Sequence, residues 1–387
     1  MDPESPAFAE HPVPAPDANP TQTQPIAADD ESPAPSPHFF VRVFLDRKGL
    51  RPGWSILLFS LLMIGFTLII GAILSRASHL DRKQGFTPFA ALLSELAPFI
   101  AMLGAAAIVA AIERRSMLDY NLVDARGVRH FFSGLAFGFL ALSALVGVLA
   151  AGGWLHFGAV ALSGTAILHF AALWGAVFLL VGCVEEGLFR CYLQFTLTRS
   201  IRFWPAVVIL GAICLELILR AKGNGVWGVY LIALLGLGPC YLLHRRKSST
   251  AGFWIAAWVS STLFGFVHTG NNGENWIGIF AAAAIGFVFC ASIYFTGSAW
   301  WAIGCHAAWD WSETFFYGTA DSGLPAQGHL LTTAPAGNAF WSGGADGPEG
   351  SVLVLAIILA LLAALFVMYG RSRQRAIASP ASAEIVS

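Results

Sequence analysis

Charge is scarce in this 387-residue chain: Asp, Glu, Lys and Arg make up 12% of it, against 56% hydrophobic residues. An average soluble domain has about a quarter of its residues charged, so this composition, with a mean hydropathy of +0.67, excludes an ordinary water-soluble globule and points to lipid as the solvent. Basic residues are missing altogether from positions 1–41, which are rich in Pro, Ala, Asp and Glu. Without a basic start or an apolar h-region this stretch is not a signal peptide, and with so little apolar surface to offset the entropy of ordering it reads as a disordered tail. Metal-type cysteine spacing is absent too. Cys183, Cys191, Cys214, Cys240, Cys290 and Cys305 all fall in apolar segments with no CxxC pair, which reads as small buried hydrophobes rather than disulfide partners or metal ligands. The net charge of −1 leaves nucleic-acid binding without support.

What is present is a series of long apolar runs, at 54–75, 88–112, 131–151, 165–190, 203–220, 224–243, 253–269, 276–296, 298–316 and 351–369. A helix needs about 20 apolar residues to cross the hydrocarbon, and the alternation that a membrane β-barrel requires is lacking. The expected fold is an all-α polytopic integral membrane protein, a bundle of about 8–10 transmembrane helices over residues 42–370, with a basic disordered tail at 371–387. The 30 Phe and 13 Trp fit, because aromatic rings pack between helices and anchor at the lipid–water interface. Arg and Lys gather at 42–51, 114–129, 199–202, 245–247 and 371–375, whereas the loop after the third run is uncharged and 317–350 carries Asp321, Asp346 and Glu349 with no basic residue. The positive-inside rule then places both termini in the cytoplasm, with Arg76, Arg82 and Lys83 as the exception. The runs at 203–220 and 253–268 both begin Phe-Trp, as if one helix had been started twice, and 203–250 reads as an inserted helical hairpin. Within it Glu216 and Arg220 stand four apart and can pair along a helix face.

Against this background a few polar residues stand out. Glu185 and Glu186 are adjacent, so on a helix they diverge by about 100° and cannot share one task. Glu186 and Arg190 stand at i and i+4 with the acid nearer the N-terminus, the better orientation for an ion pair. Arg190 is then the partner that keeps Glu186 ionised, and Glu185 has no such local partner. A carboxylate at membrane depth costs about 2.5–3.5 kcal/mol on insertion scales unless it faces a wet cavity or pairs across helices. Further along, FGFVH places Phe264 and His268 at the end of one run, and HAAWD places His306 and Asp310 on one face of another. Taken singly, each has a bland reading: a structural ion pair, an interfacial histidine, a polar turn at 268–275. Together they put titratable groups on three intramembrane helices, which is a functional signal.

The ordered set EExxxR, FxxxH and HxxxD resembles the three motifs of the CPBP family of intramembrane peptidases, which includes type II CAAX prenyl endopeptidases and bacterial proteins of bacteriocin processing and immunity. The resemblance covers about residues 165–316. It implies that Glu185 activates the attacking water, that Glu186 and Arg190 support it, that His268, His306 and Asp310 complete the catalytic set, and that Phe264 packs. One departure is the separation of the first and second motifs by about eighty residues, consistent with the inserted hairpin.

Peptide hydrolysis needs an activated water, oxyanion stabilisation and protonation of the leaving amine. His268 and His306 serve either as ligands of a zinc ion or as oxyanion donors in a metal-free Glu/His arrangement. HExxH is absent and zinc catalysis typically uses three protein ligands, so both remain open. The expected partners are the lipid bilayer and a membrane-bound protein or lipid-modified peptide substrate near the cytoplasmic leaflet. Two rival classes stay beside the peptidase: a non-catalytic scaffold or bacteriocin-immunity-type protein, and a proton-coupled transporter.

Overall fold

The computed structural model describes residues 43–46, 49–78, 87–221, 236–271, 273–321 and 326–378. The tail expected at 1–41, most of the basic cluster at 42–51, Arg82 and Lys83, and part of the expected hairpin insertion (222–235) lie outside them. The described chain is helical almost throughout: α1 Pro52–Ser78, α2 Pro88–Ile112, α3 Gly127–Ala151, α4 Thr165–Glu186, α5 Phe203–Ala221, α6 Gly238–Arg245, α7 Ala251–Val267, α8 Trp276–Thr296, α9 Trp300–Trp311 and α10 Val354–Ala378. Among the described residues seven helices are long and apolar enough to cross a membrane, and Val354–Gly370 is a shorter apolar one. This is the all-α polytopic architecture expected. Two differences stand beside it. Leu155–Val160 and Leu331–Pro335 form an antiparallel two-stranded ribbon that ties together the two loops without basic residues. The last helix runs on through 371–378, into the segment read as a tail; Arg, Gln and Ala there are strong helix formers, and 379–387 lies outside the described residues.

The helix ends follow local chemistry. Pro52 and Pro88 open α1 and α2, where a missing N–H costs nothing. Thr87 caps α2 through Ala90 N, and Asn275 caps α8 by accepting from Ile277 N at 2.7 Å. The apolar residues turn outward as well as inward: Leu68, Leu168, Val208 and Val367 are each more than two-thirds exposed, as expected of a bundle whose surrounding solvent is lipid.

At the centre lies α9, packed against α3, α4 and α8. Its approach to α3 is backbone on backbone. A Cβ at Gly134 would collide with the Trp301 carbonyl and one at Gly138 with the Cys305 carbonyl, so the Gly-xxx-Gly spacing on α3 sets how close the helices come. Leu142, Leu145, Trp301, Cys305 and Val288 fill the core around this contact. The two runs that begin Phe-Trp, α5 and α7, lie side by side through Ala206, Leu210, Ile255, Ala256 and Val259. None of the six cysteines is disulfide-bonded, and Cys191, Cys240, Cys290 and Cys305 are buried.

The bundle has two unlike ends. Glu113, Asn121, Asp124, Arg199 and Ser298 meet at one: Ser298 Oγ donates to Asp124 Oδ2 at 2.7 Å, and Ala299 N to Asn121 O at 2.8 Å. At the other end Asn275 Nδ2 donates to Gly350 O at 3.1 Å, and Ala336 N to Trp154 O at 2.8 Å. The described arginines of 114–129 and 199–202 lie toward the first end, and the described residues of the acidic loops, 318–321 and 326–353, lie toward the second.

Candidate active site

The first motif sits where α4 changes its winding. After Glu186 the helix continues as a π-helical turn, Gly187–Leu193, before Gln194–Thr198 resumes the α-form; such turns concentrate at functional sites. Glu186 and Arg190 are both fully buried, with Arg190 Nε 3.1 Å from Glu186 Oε2. The guanidinium is clasped by aromatic faces, its Cζ 4.1 Å from the Phe264 ring centroid and 5.4 Å from that of Phe289. Phe264 is therefore more than packing: cation–π attraction offsets part of the desolvation of a charge whose Nη1 and Nη2 have no hydrogen-bond partner. Gly286 leaves the room, since a Cβ there would overlap Nη2.

Glu185 turns the other way. Its side chain is 35% exposed and faces a cavity of about 350 Å³, which it lines with His268, His306, Asp310 and Glu95. His306 joins the two glutamates. Its Nδ1 lies 2.8 Å from Glu186 Oε1, and its Nε2 lies 3.8 Å from Glu185 Oε2 and 3.4 Å from Asp310 Oδ2. A buried carboxylate at Nδ1 makes that nitrogen the donor and turns Nε2 toward the cavity carboxylates. The ring stacks on Phe289 at 5.6 Å, which fixes its plane. Asp310 thus meets the outer nitrogen of His306 and Glu186 the inner one. His268 stands alone at the rim: its Nδ1 donates to Phe264 O at 2.7 Å, since a carbonyl only accepts, so Nε2 is free.

All the expected site residues are therefore brought together, five of them (Glu185, Phe264, His268, His306, Asp310) lining one cavity and two (Glu186, Arg190) behind it. The long separation of the first two motifs does not keep His268 away. Glu216 and Arg220 pair at 2.8 Å outside the site, as their spacing suggested. The zinc arrangement fits less well. Among the described residues, no group of three ligand-type side chains that includes His268 or His306 brings its ligand atoms within 4.8 Å of one another; the group that does is Glu313, Asp321 and Glu349. His306 Nδ1 is in addition committed to Glu186.

Residues 241–312 match a known family. It is the Rce1-like family of type II CAAX prenyl endopeptidases. The match supports the CPBP and CAAX-protease kinship drawn from the motifs, and with the membrane helices it supports an intramembrane peptidase in general. It spans the second and third motifs, Phe264–His268 and His306–Asp310, and begins after Glu185, Glu186 and Arg190; the His306–Glu186 bond is what ties the first motif to the matched segment. No curated protein and no solved structure matches the chain.

The sequence reading missed Glu95, Asp321 and Glu349, which also line the cavity. Glu95 is a lone carboxylate in an apolar helix, the same signal that singled out Glu185. Asp321 and Glu349 come from the loops, where nothing in the local pattern points inward. The cavity extends from Glu185 and His306 toward Asn271, Gly278, Glu349 and Val354, the end opposite the basic loops. At that acidic end, burial first and Asp346 second push Glu274 up to about 7, and burial pushes Asp346 itself up to about 6.

Proposed function

We propose that this protein is an intramembrane endopeptidase that hydrolyses a peptide bond of a membrane-associated protein or lipid-modified peptide, with water activated by Glu185. Prenylated CAAX-type proteins are the substrate class that the matched family's description brings forward. The observation that carries the reading is the division of labour between adjacent glutamates: Glu186 is buried with its own counter-ion, and Glu185 faces the cavity beside His306.

In this reading water bound between Glu185 and the scissile carbonyl loses a proton to the Glu185 carboxylate as its oxygen attacks the carbonyl carbon. Each in its doubly protonated form, His268 and His306 donate from Nε2 to the oxygen that gains charge, with Asp310 beside the outer nitrogen of His306. Collapse of the tetrahedral intermediate breaks the C–N bond, and the proton held by Glu185 passes to the leaving amine. Arg190 acts through Glu186, which accepts from His306 Nδ1 and so fixes the orientation of the ring. The steps use the side chains alone, because neither histidine stands in a convergent ligand set; Glu185, His306 and Asp310 are the groups that would first meet a cation entering the cavity. With the basic end of the bundle in the cytoplasm, substrate reaches the cavity from the opposite, acid-rich end.

Hydrolysis is tested by incubating purified protein with a membrane-tethered reporter peptide in ¹⁸O-labelled water. One ¹⁸O in the new carboxylate of the N-terminal product is the expected result; intact reporter, or transfer of the acyl group without label, contradicts it.

A further inference from the structure

At the acid-rich wall of the cavity stands a second set of acids that the peptidase reading does not use. Glu313 belongs to the π-helical turn Ser312–Tyr317 that continues α9, Asp321 to the loop after it, and Glu349 to the short turn Pro348–Gly350 before α10. One carboxylate oxygen from each lies within 4.8 Å of the other two. Glu313 is fully buried, and neither of its carboxylate oxygens has a hydrogen-bond partner. Among the described residues the three acids receive two donors between them: Thr314 Oγ1 to Asp321 Oδ2 at 2.9 Å and Trp309 Nε1 to Glu349 Oε1 at 2.7 Å. No described Lys, Arg or His forms an ion pair with any of them, and no Lys or Arg occurs anywhere from 299 to 370.

The chain around Glu313 is built to hold its place. Thr319 donates to the Glu313 carbonyl twice, from its backbone N at 3.1 Å and from Oγ1 at 3.0 Å. Gly347, at φ +106°, lets the second loop close over the carboxylate: a Cβ there would collide with the Ala320 carbonyl and stand 3.4 Å from Glu313 Oε1. Three like charges held at this separation in a water-poor setting repel strongly unless something neutralises them. Oxygen-only donors, most of them carboxylate, are the ligand set of hard divalent cations.

We propose that Glu313, Asp321 and Glu349 form a binding site for a hard divalent cation, calcium being the best fit because it accepts carboxylates in flexible, one- or two-oxygen modes. The bound ion clamps the 317–321 and 343–350 loops to the end of α9. Asp321 and Glu349 are also cavity-lining residues, so the clamp shapes the acid-rich wall of the cavity. Its role is structural, and neither His268 nor His306 is among its ligands.

The test uses the full chain in detergent, stripped with chelator and titrated calorimetrically with Ca²⁺, Mg²⁺ and Zn²⁺ in turn. Wild type is expected to take up one Ca²⁺ per chain, with Mg²⁺ weaker, and to melt at a higher temperature once loaded. Glu313→Gln and Asp321→Asn are each expected to weaken uptake about tenfold or more and to show a smaller rise in melting temperature than wild type at the same Ca²⁺ concentration. Glu313→Gln removes a repelling charge at constant size, so its cation-free form is expected to melt at or above cation-free wild type; should it fail to fold, Asp321→Asn carries the comparison. Absence of saturable Ca²⁺ or Mg²⁺ uptake by folded wild type, or equal uptake by wild type and a folded variant, overturns the proposal. Zn²⁺ uptake that both variants leave unchanged also overturns it, by placing the ion elsewhere. None of these readouts involves peptide cleavage, so the cation site and the peptidase reading fail or survive independently.

Discussion

His306 is held among three carboxylates whose situations differ: Glu186 buried at Nδ1, Glu185 and Asp310 facing Nε2 from the cavity. The buried one depends on Arg190. Replacing Arg190 by Met leaves Glu186 without its cation in a dry interior, and such one-sided removals cost about 3–5 kcal/mol. Arg190→Met is therefore expected to lower the unfolding free energy by about that amount in denaturant melts, and the double variant Glu186→Gln/Arg190→Met to recover a large part of it. Equal losses in single and double variants would show that the pair is not the source. Much at this scale was legible beforehand. The i, i+4 spacings of Glu186–Arg190 and His306–Asp310 correctly put each pair on one face. That His306 Nδ1 would meet Glu186 was not legible, because it depends on how α4 and α9 approach. Glu95 carries the same signal in the sequence as Glu185, because the insertion cost of a carboxylate applies to both equally.

At the scale of elements, the approach of α9 to α3 positions His306, and Gly138 controls it. Gly138→Ala places a methyl group on the Cys305 carbonyl, one residue before His306. Overpacking of this kind costs about 1–3 kcal/mol, and a lower melting temperature together with a reduced cleavage rate is expected; an unchanged melt would mean the helices separate freely. The loop acids supply a pH dependence. Glu274, pushed up to about 7, and Asp346, pushed up to about 6, hold protons in the folded protein that they release in the unfolded chain. Their contribution is full below the ordinary carboxylate range and is lost as pH rises through 6 to 7. Melting temperature of chelator-treated protein is expected to fall over that interval, and Asp346→Asn to flatten the fall; stability that rises over the same interval would contradict the assignment. The sequence prefigured the helices but not the two π-turns, Gly187–Leu193 and Ser312–Tyr317. Their wider hydrogen-bond period is imposed by what the flanking helices pack against, and residue types do not announce it.

For the whole molecule, the apolar exterior and the unlike ends follow from composition and from where Lys and Arg fall. The positive-inside assignment makes a direct topological prediction. Ser248 and Asn271 flank α7, a 17-residue helix. A membrane-impermeant thiol reagent should reach Asn271→Cys from outside the cell and Ser248→Cys only after the membrane is opened; labelling of both from one side would refute the orientation. The location of the cavity at the acid-rich end was not available from motif order, since depth depends on where each helix begins. The central claim is that Glu185 activates water for peptide hydrolysis, and it is tested most directly by comparing folded wild type with Glu185→Gln on membrane-tethered reporter peptides, with and without chelator. Removing a general base lowers rates by about 10²–10⁴-fold. The account predicts a loss of that size at an unchanged melting temperature. Cleavage by Glu185→Gln at the wild-type rate would contradict it.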